Sequence, residues 1–153
     1  WSAVSAGIVV TISQILGAVA RVASGAVSDR VGSRMKPIRV VAISLAGLLA
    51  ALTAAEVLGA PGAVAVTLAV AATVFSVSDN GLAFTAVAEY AGPRWSGRAL
   101  GVQNTAQFVA ISAVTPLIAA AIDGYGYWLV FAGAAVIAAT AVPVVPPVDR
   151  RRV

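Results

Sequence analysis

Five apolar runs, each long enough to cross a hydrocarbon core, take up almost the whole chain: roughly 3–27, 38–58, 63–88, 98–122 and 128–145. A core of about 30 Å needs roughly 20 helical residues at 1.5 Å each. Within it every backbone N–H and C=O must be satisfied by the protein itself, so only helices and closed barrels can span it. The runs are continuously apolar and lack the inside-outside alternation of barrel strands. The predicted fold class is an all-α membrane protein with five transmembrane helices. Apolar residues make up 60% of the 153 and charged residues 10%, a balance far from the soluble average.

Charge is distributed unevenly between the loops. Arg30, Arg34, Lys36 and Arg39 follow the first run, Arg94 and Arg98 follow the third, and Arg150, Arg151 and Arg152 follow the fifth. The alternate loops, Gly59-Ala60-Pro61-Gly62 and Asp123-Gly124-Tyr125-Gly126, hold no Lys or Arg. The positive-inside rule then places the basic loops and the C-terminus in the cytoplasm, in a plasma membrane or bacterial inner membrane. Tyr125, Tyr127 and Trp128 fall at the outer interface, where amphipathic rings are favoured. The net charge of +4 comes from these short clusters, a membrane-loop pattern, and so no nucleic-acid partner is expected.

The segment GAVSDRVGSR at 25–34 sets Gly25, Asp29, Arg30, Gly32 and Arg34 in the spacing Gly-x-x-x-Asp-Arg-x-Gly-x-Arg, between two spans. A small residue at Gly25 permits a close helix approach, Asp29 can accept from the N–H groups of a facing helix N-terminus, and the arginines sit among anionic headgroups. This spacing resembles the cytoplasmic loop motif of the major facilitator superfamily, transporters built from two six-helix halves. A second segment, AEYAGPRWSGRALGVQNTAQ at 88–107, with Glu89, Gly92-Pro93, Gly97-Arg98 and Gly101, looks like the junction between that family's tenth and eleventh helices. Pro93 stops one helix, and Gly97 with Gly101 offers a small-residue face for packing the next.

The resemblance implies that residues 1–148 are part of the C-terminal half of a twelve-helix fold, helices eight to twelve, with 149–153 a cytoplasmic basic tail. The chain opens on Trp1 rather than Met, without a signal-peptide layout. A fragment is therefore expected, whose partners are lipid, a small-molecule substrate and the missing N-terminal half.

Polar groups within the spans are costly and are functional candidates by default. Counted at 1.5 Å per residue from the nearer basic loops, Arg21 lies roughly 9 Å deep, Gln14 roughly 20 Å, Asp79 and Asn80 roughly 12–14 Å, and Asn104 and Gln107 roughly 9–14 Å. They form the expected substrate or proton pathway. Gln14, Gly17, Arg21 and Gly25 share one helix face, and the run Ser76, Ser78, Asp79, Asn80 and Gly81 suits a locally irregular helix beside a cavity. The second and fifth runs carry no central charge and are expected to form a lipid-facing pair, which agrees with the peripheral ninth and twelfth helices of the family.

Alternatives stay open for each group: Arg21 as a tie between helices or a cavity cation, Asp79 as a helix cap or a proton carrier, the amides as interhelical glue. Gly25, Asp29, Arg30, Gly32, Arg34, Glu89 and Arg98 form the expected cytoplasmic gate, in which Glu89 should meet Arg30, Arg34 or Arg98. Asp29 is expected to cap a helix of the missing half rather than the helix starting near Gly97. Glu56 and Asp123 fall near the outer surface.

The chain has no Cys and no His. That removes the common nucleophile-histidine pairs and most zinc ligands, and no phosphate-binding Gly-x-x-x-x-Gly-Lys loop is present. No enzyme activity, metal or cofactor is expected. The resemblance implies secondary active transport of a small solute by alternating access, and Asp79, a carboxyl within an apolar span whose protonation follows the polarity of its surroundings, is the expected proton-coupling group. The rival readings are a proton-independent facilitator or exporter, and a non-transporting membrane scaffold.

Overall fold

The computed structural model describes residues 2–146. Trp1, Arg150, Arg151, Arg152 and the tail 149–153 lie outside the described residues. Six helices follow in order: α1 Ala3–Val31, α2 Met35–Val57, α3 Gly62–Ser78, α4 Asn80–Ala91, α5 Ser96–Tyr125 and α6 Tyr127–Val144. They make five stretches long and apolar enough to span a membrane, α3 and α4 together forming one.

Local chemistry sets the ends. Ser2 caps α1, its side-chain oxygen accepting the Ser5 N–H at 3.1 Å, so one otherwise orphaned donor is satisfied. At the other end Gly32 has φ 64 and the Ser33 N–H returns to the Ser28 carbonyl at 3.2 Å, the closing bond of a Schellman turn. Ser33 then starts α2 by accepting the Lys36 N–H at 3.2 Å. The motif's second glycine is thus the residue that lets α1 end and α2 begin within three positions.

Span ends differ in places from those read from hydropathy: α1 runs past 27 to Val31, so Asp29 and Arg30 of the loop motif are helical, and α5 runs past 122, whereas the irregular stretch expected around Asp79 is present. The stretch Asp123-Gly124-Tyr125, expected as loop, is the last turn of α5, and Gly126 with φ 85 alone separates α5 from α6. A glycine in that conformation reverses the chain in one residue, so no longer loop is needed. The third run is broken at Asp79 (φ −94, ψ −5), which ends α3 and precedes α4.

α1 and α2 both pack on α3, α2 also on α6, while α4 packs on α5 and α1, and α5 on α6. Deeply buried apolar side chains are few; Leu52 at 3% exposure and Leu82 at 4% are the largest of them. α5 and α6 bury no residue, and Val22, Val102 and Phe108 stand outward. Outward apolar groups suit a hydrocarbon solvent, in which helices associate through close packing and hydrogen bonds rather than through hydrophobic burial. The second and fifth spans, α2 and α6, expected to face lipid, pack on each other. Yet α2 holds more buried residues than any other helix, Met35, Pro37, Val41 and Leu52, because it packs against both α3 and α6.

Candidate functional site

Of the expected pathway residues, Arg21 and Asp79 both lie where α1 meets the break in the third span. Val77 and Ser78 end α3, so their carbonyls lie where the helical ladder is interrupted. Arg21 Nε donates to the Val77 carbonyl at 3.1 Å. The Ser24 hydroxyl, one turn further along α1, donates to the Ser78 carbonyl and also reaches the Arg21 carbonyl at 2.9 Å, so its single proton is shared. α1 thereby supplies two donors to the end of α3, where the Val77 carbonyl also accepts the Asp79 N–H.

The close approach that permits this is at Gly17. A Cβ built there would stand 2.7 Å from Val77 Cγ2, closer than carbon atoms can pack, so the two helices meet at hydrogen atoms on one side. Gly25, expected to provide the close approach, does not provide it within this chain: nothing lies within 4 Å of a Cβ at Gly25, and the same holds at Gly97 and Gly101. None of the described helices crosses at those points, so the small-residue faces they form are open here.

Asp79 is half-buried at the break. Its backbone carbonyl accepts the Ala83 N–H at 2.9 Å and so starts α4. Among the described residues the ion pairs involve only Arg34, with Asp29 and Glu89, so Arg21 does not neutralise Asp79 although both border the same break. Asn80 follows as the first residue of α4. Gln14 and Asn104 are exposed, and Gln107 is half-buried on α5. Gln103, which sequence reasoning passed over, has a buried Oε1 without a hydrogen-bond partner among the described residues. Its spacing of four from Gln107 puts both amides on one face of α5, and that spacing was the signal available in the sequence.

The second cluster lies at the basic loop. Arg34 Nη1 donates to Asp29 Oδ1 at 2.7 Å and to Ser28 Oγ at 3.0 Å, while Nη2 reaches Glu89 Oε1 at 3.5 Å. The buried Ser28 hydroxyl in turn donates to the Ser33 carbonyl at 3.0 Å. One guanidinium therefore joins the end of α1, the start of α2 and the end of α4. The hydrogen bond to Asp29 is the main cause that holds Arg34 above the ordinary guanidinium value, with burial working against it and the charge of Glu89 adding to it. A raised value stabilises the folded form at every pH below the arginine range and is lost only in strong alkali, so this link carries no switch near neutrality.

Of the three partners expected for Glu89, Arg34 is the one it meets. Asp29 is 71% exposed, and no side chain caps the N-terminus of α5. Arg98 instead lies over the Trp95 ring at 4.8 Å, a cation-π contact, and Arg30 points outward.

A protein-family profile described as the Major Facilitator Superfamily matches residues 1–115. An uncharacterized MFS-type transporter of Mycobacterium tuberculosis (strain ATCC 25618 / H37Rv) is 48% identical over 146 residues, which cover 95% of this chain and 32% of that relative. A second one, from strain CDC 1551 / Oshkosh of the same species, is 47% identical over the same shares. The chain spans about a third of the length of the curated relatives it matches. No solved structure matches the chain.

Proposed function

This chain belongs to the Major Facilitator Superfamily, and on that premise we propose that it is the C-terminal part of a transporter that carries a small solute across the membrane by alternating access, with proton coupling at Asp79. The chain is a multi-pass membrane segment. In the proposed arrangement its spans are helices eight to twelve, the basic loops and the C-terminus face the cytoplasm, and the solute binds between this part and the helices that complete the fold.

The observation that carries the reading is the break at Asp79. A discontinuous span is how membrane transporters place irregular backbone beside a binding site. Here the break is braced from α1 by Arg21 and Ser24, and its carboxylate has no cation paired with it among the described residues. An ionised, unpaired carboxylate in hydrocarbon is strongly disfavoured. A group in that position gains and loses its proton as the surrounding cavity wets and closes, which is what coupling requires. The Arg34 network is the proposed cytoplasmic gate, since it ties three helix ends that alternating access has to move.

The test uses the intact transporter in proteoliposomes, with Asp79→Asn. The amide keeps the shape and cannot carry a proton, so accumulation driven by a pH gradient should be abolished while solute exchange at equal pH persists. Undiminished uphill transport would remove Asp79 from the mechanism and leave a proton-independent facilitator or exporter. Loss of exchange as well would make Asp79 a solute ligand.

A further inference from the structure

We propose that the apolar groove between α1, α2 and α3 binds one anionic phospholipid, its acyl chain lying along α1 and its phosphate on Lys36. The groove encloses about 450 Å³ and follows α1 from Ala20 to Val31, with Val41 of α2 and Phe75 of α3 on its other walls. Eleven helical steps of 1.5 Å make roughly 16 Å, about half of a 30 Å hydrocarbon core, so the groove is one leaflet deep. Its polar wall atoms are occupied: the Ser78 hydroxyl donates to the Phe75 carbonyl at 2.9 Å and the Ser24 hydroxyl donates to Ser78. The interior therefore offers a hydrocarbon chain apolar contact and offers a polar ligand no free donor.

The mouth is different. Lys36 lines it, is exposed, and has no carboxylate within ion-pair distance among the described residues. It stands in the first turn of α2, which contains no acidic residue, so its charge adds to the positive end of the helix dipole instead of being offset. An uncompensated cation at headgroup level above a one-leaflet apolar slot matches the two parts of an anionic lipid. A zwitterionic lipid offers the same chain without the net charge. The inference needs the chain to span a bilayer and does not depend on the transport reading.

The experiment places the intact protein carrying Phe75→Trp in phosphatidylcholine vesicles. Bromine-labelled phosphatidylglycerol or bromine-labelled phosphatidylcholine is added at equal mole fraction, and quenching of the new tryptophan is measured against the unsubstituted protein. One cation near a membrane surface predicts about a five-fold preference for the anionic lipid. Lys36→Gln should abolish the preference, Lys36→Arg should keep it, and added salt should weaken it without any substitution. Ala23→Phe, which fills the groove from α1, should lower quenching by both lipids. Equal quenching by the two lipids, or a preference that survives Lys36→Gln, would overturn the assignment. Absence of quenching would show that another part of the protein closes the groove and would overturn it too.

Discussion

Gly32 carries the sharpest local constraint in the chain. At φ 64 it occupies the left-handed region, where a Cβ meets the following carbonyl. It also sits between Ser28, whose hydroxyl accepts from Arg34, and Ser33, whose oxygen starts α2. Gly32→Ala should lower the unfolding free energy by about 1–2 kcal/mol, read as a shift of the melting transition in detergent. Gly32→Asn should cost less, because Asn tolerates this conformation better than other side chains. Equal losses for Ala and Asn would mean that space rather than backbone conformation selects the glycine. The loop arginines separate on similar grounds. Arg34 is half-buried with three side-chain partners, whereas Arg30 beside Asp29 in the sequence is exposed, since neighbouring positions on a helix point about 100° apart.

Among the elements, the contact of α1 with α3 decides where the third span can break. Two donors from α1 reach the Val77 and Ser78 carbonyls at the end of α3, and interhelical hydrogen bonds of this kind are worth about 0.6 kcal/mol on average in a membrane, about 1.7 at most. Their geometry depends on Gly17 lying against Val77. Gly17→Ala should force the helices apart and cost about 1–3 kcal/mol, the usual range for overpacking. Val77→Ala in the same chain should recover most of that loss, measured as a double-mutant cycle of melting transitions. Additive losses in the cycle would show that Gly17 and Val77 do not meet. Val77 is β-branched and stiff at χ1, so it cannot rotate away at little cost, which is why the single change should be visible.

At the scale of the molecule, the Arg34–Glu89 contact at 3.5 Å brings the loop after α1 and the end of α4 to one side of the helix layer. The sequence has no cysteine, so single cysteines can be read without background from this chain. Cysteines at the exposed positions Arg30 and Arg94 should label with a membrane-impermeant maleimide only when the cytoplasmic side is open. Pro61→Cys, in the turn between α2 and α3, should label from the outside. Labelling of Arg30 and Arg94 from opposite sides would break the topology, and labelling of both from outside would invert it.

Hydropathy by itself determined that the chain is helical, that it spans the membrane five times, and where the loops fall to within a few residues, because continuous apolar length is the property a bilayer selects. The loop spacing at 25–34 determined the family for a related reason: its residues act locally, Gly32 ending a helix and Arg34 binding Asp29 five positions away. Span ends were less legible, since Asp123-Gly124-Tyr125 reads as loop by composition but continues α5, where a single Gly126 suffices to turn the chain. Only the tertiary structure decided that Gly17 rather than Gly25 is the point of close approach, that Arg21 spends its Nε on the Val77 carbonyl and leaves Asp79 unpaired, and that Glu89 meets Arg34 while Arg98 lies on Trp95. These depend on how one helix is rotated and shifted against another. A sequence fixes the face each residue occupies through the 3.6-residue period, but which faces meet depends on packing between helices far apart in the chain.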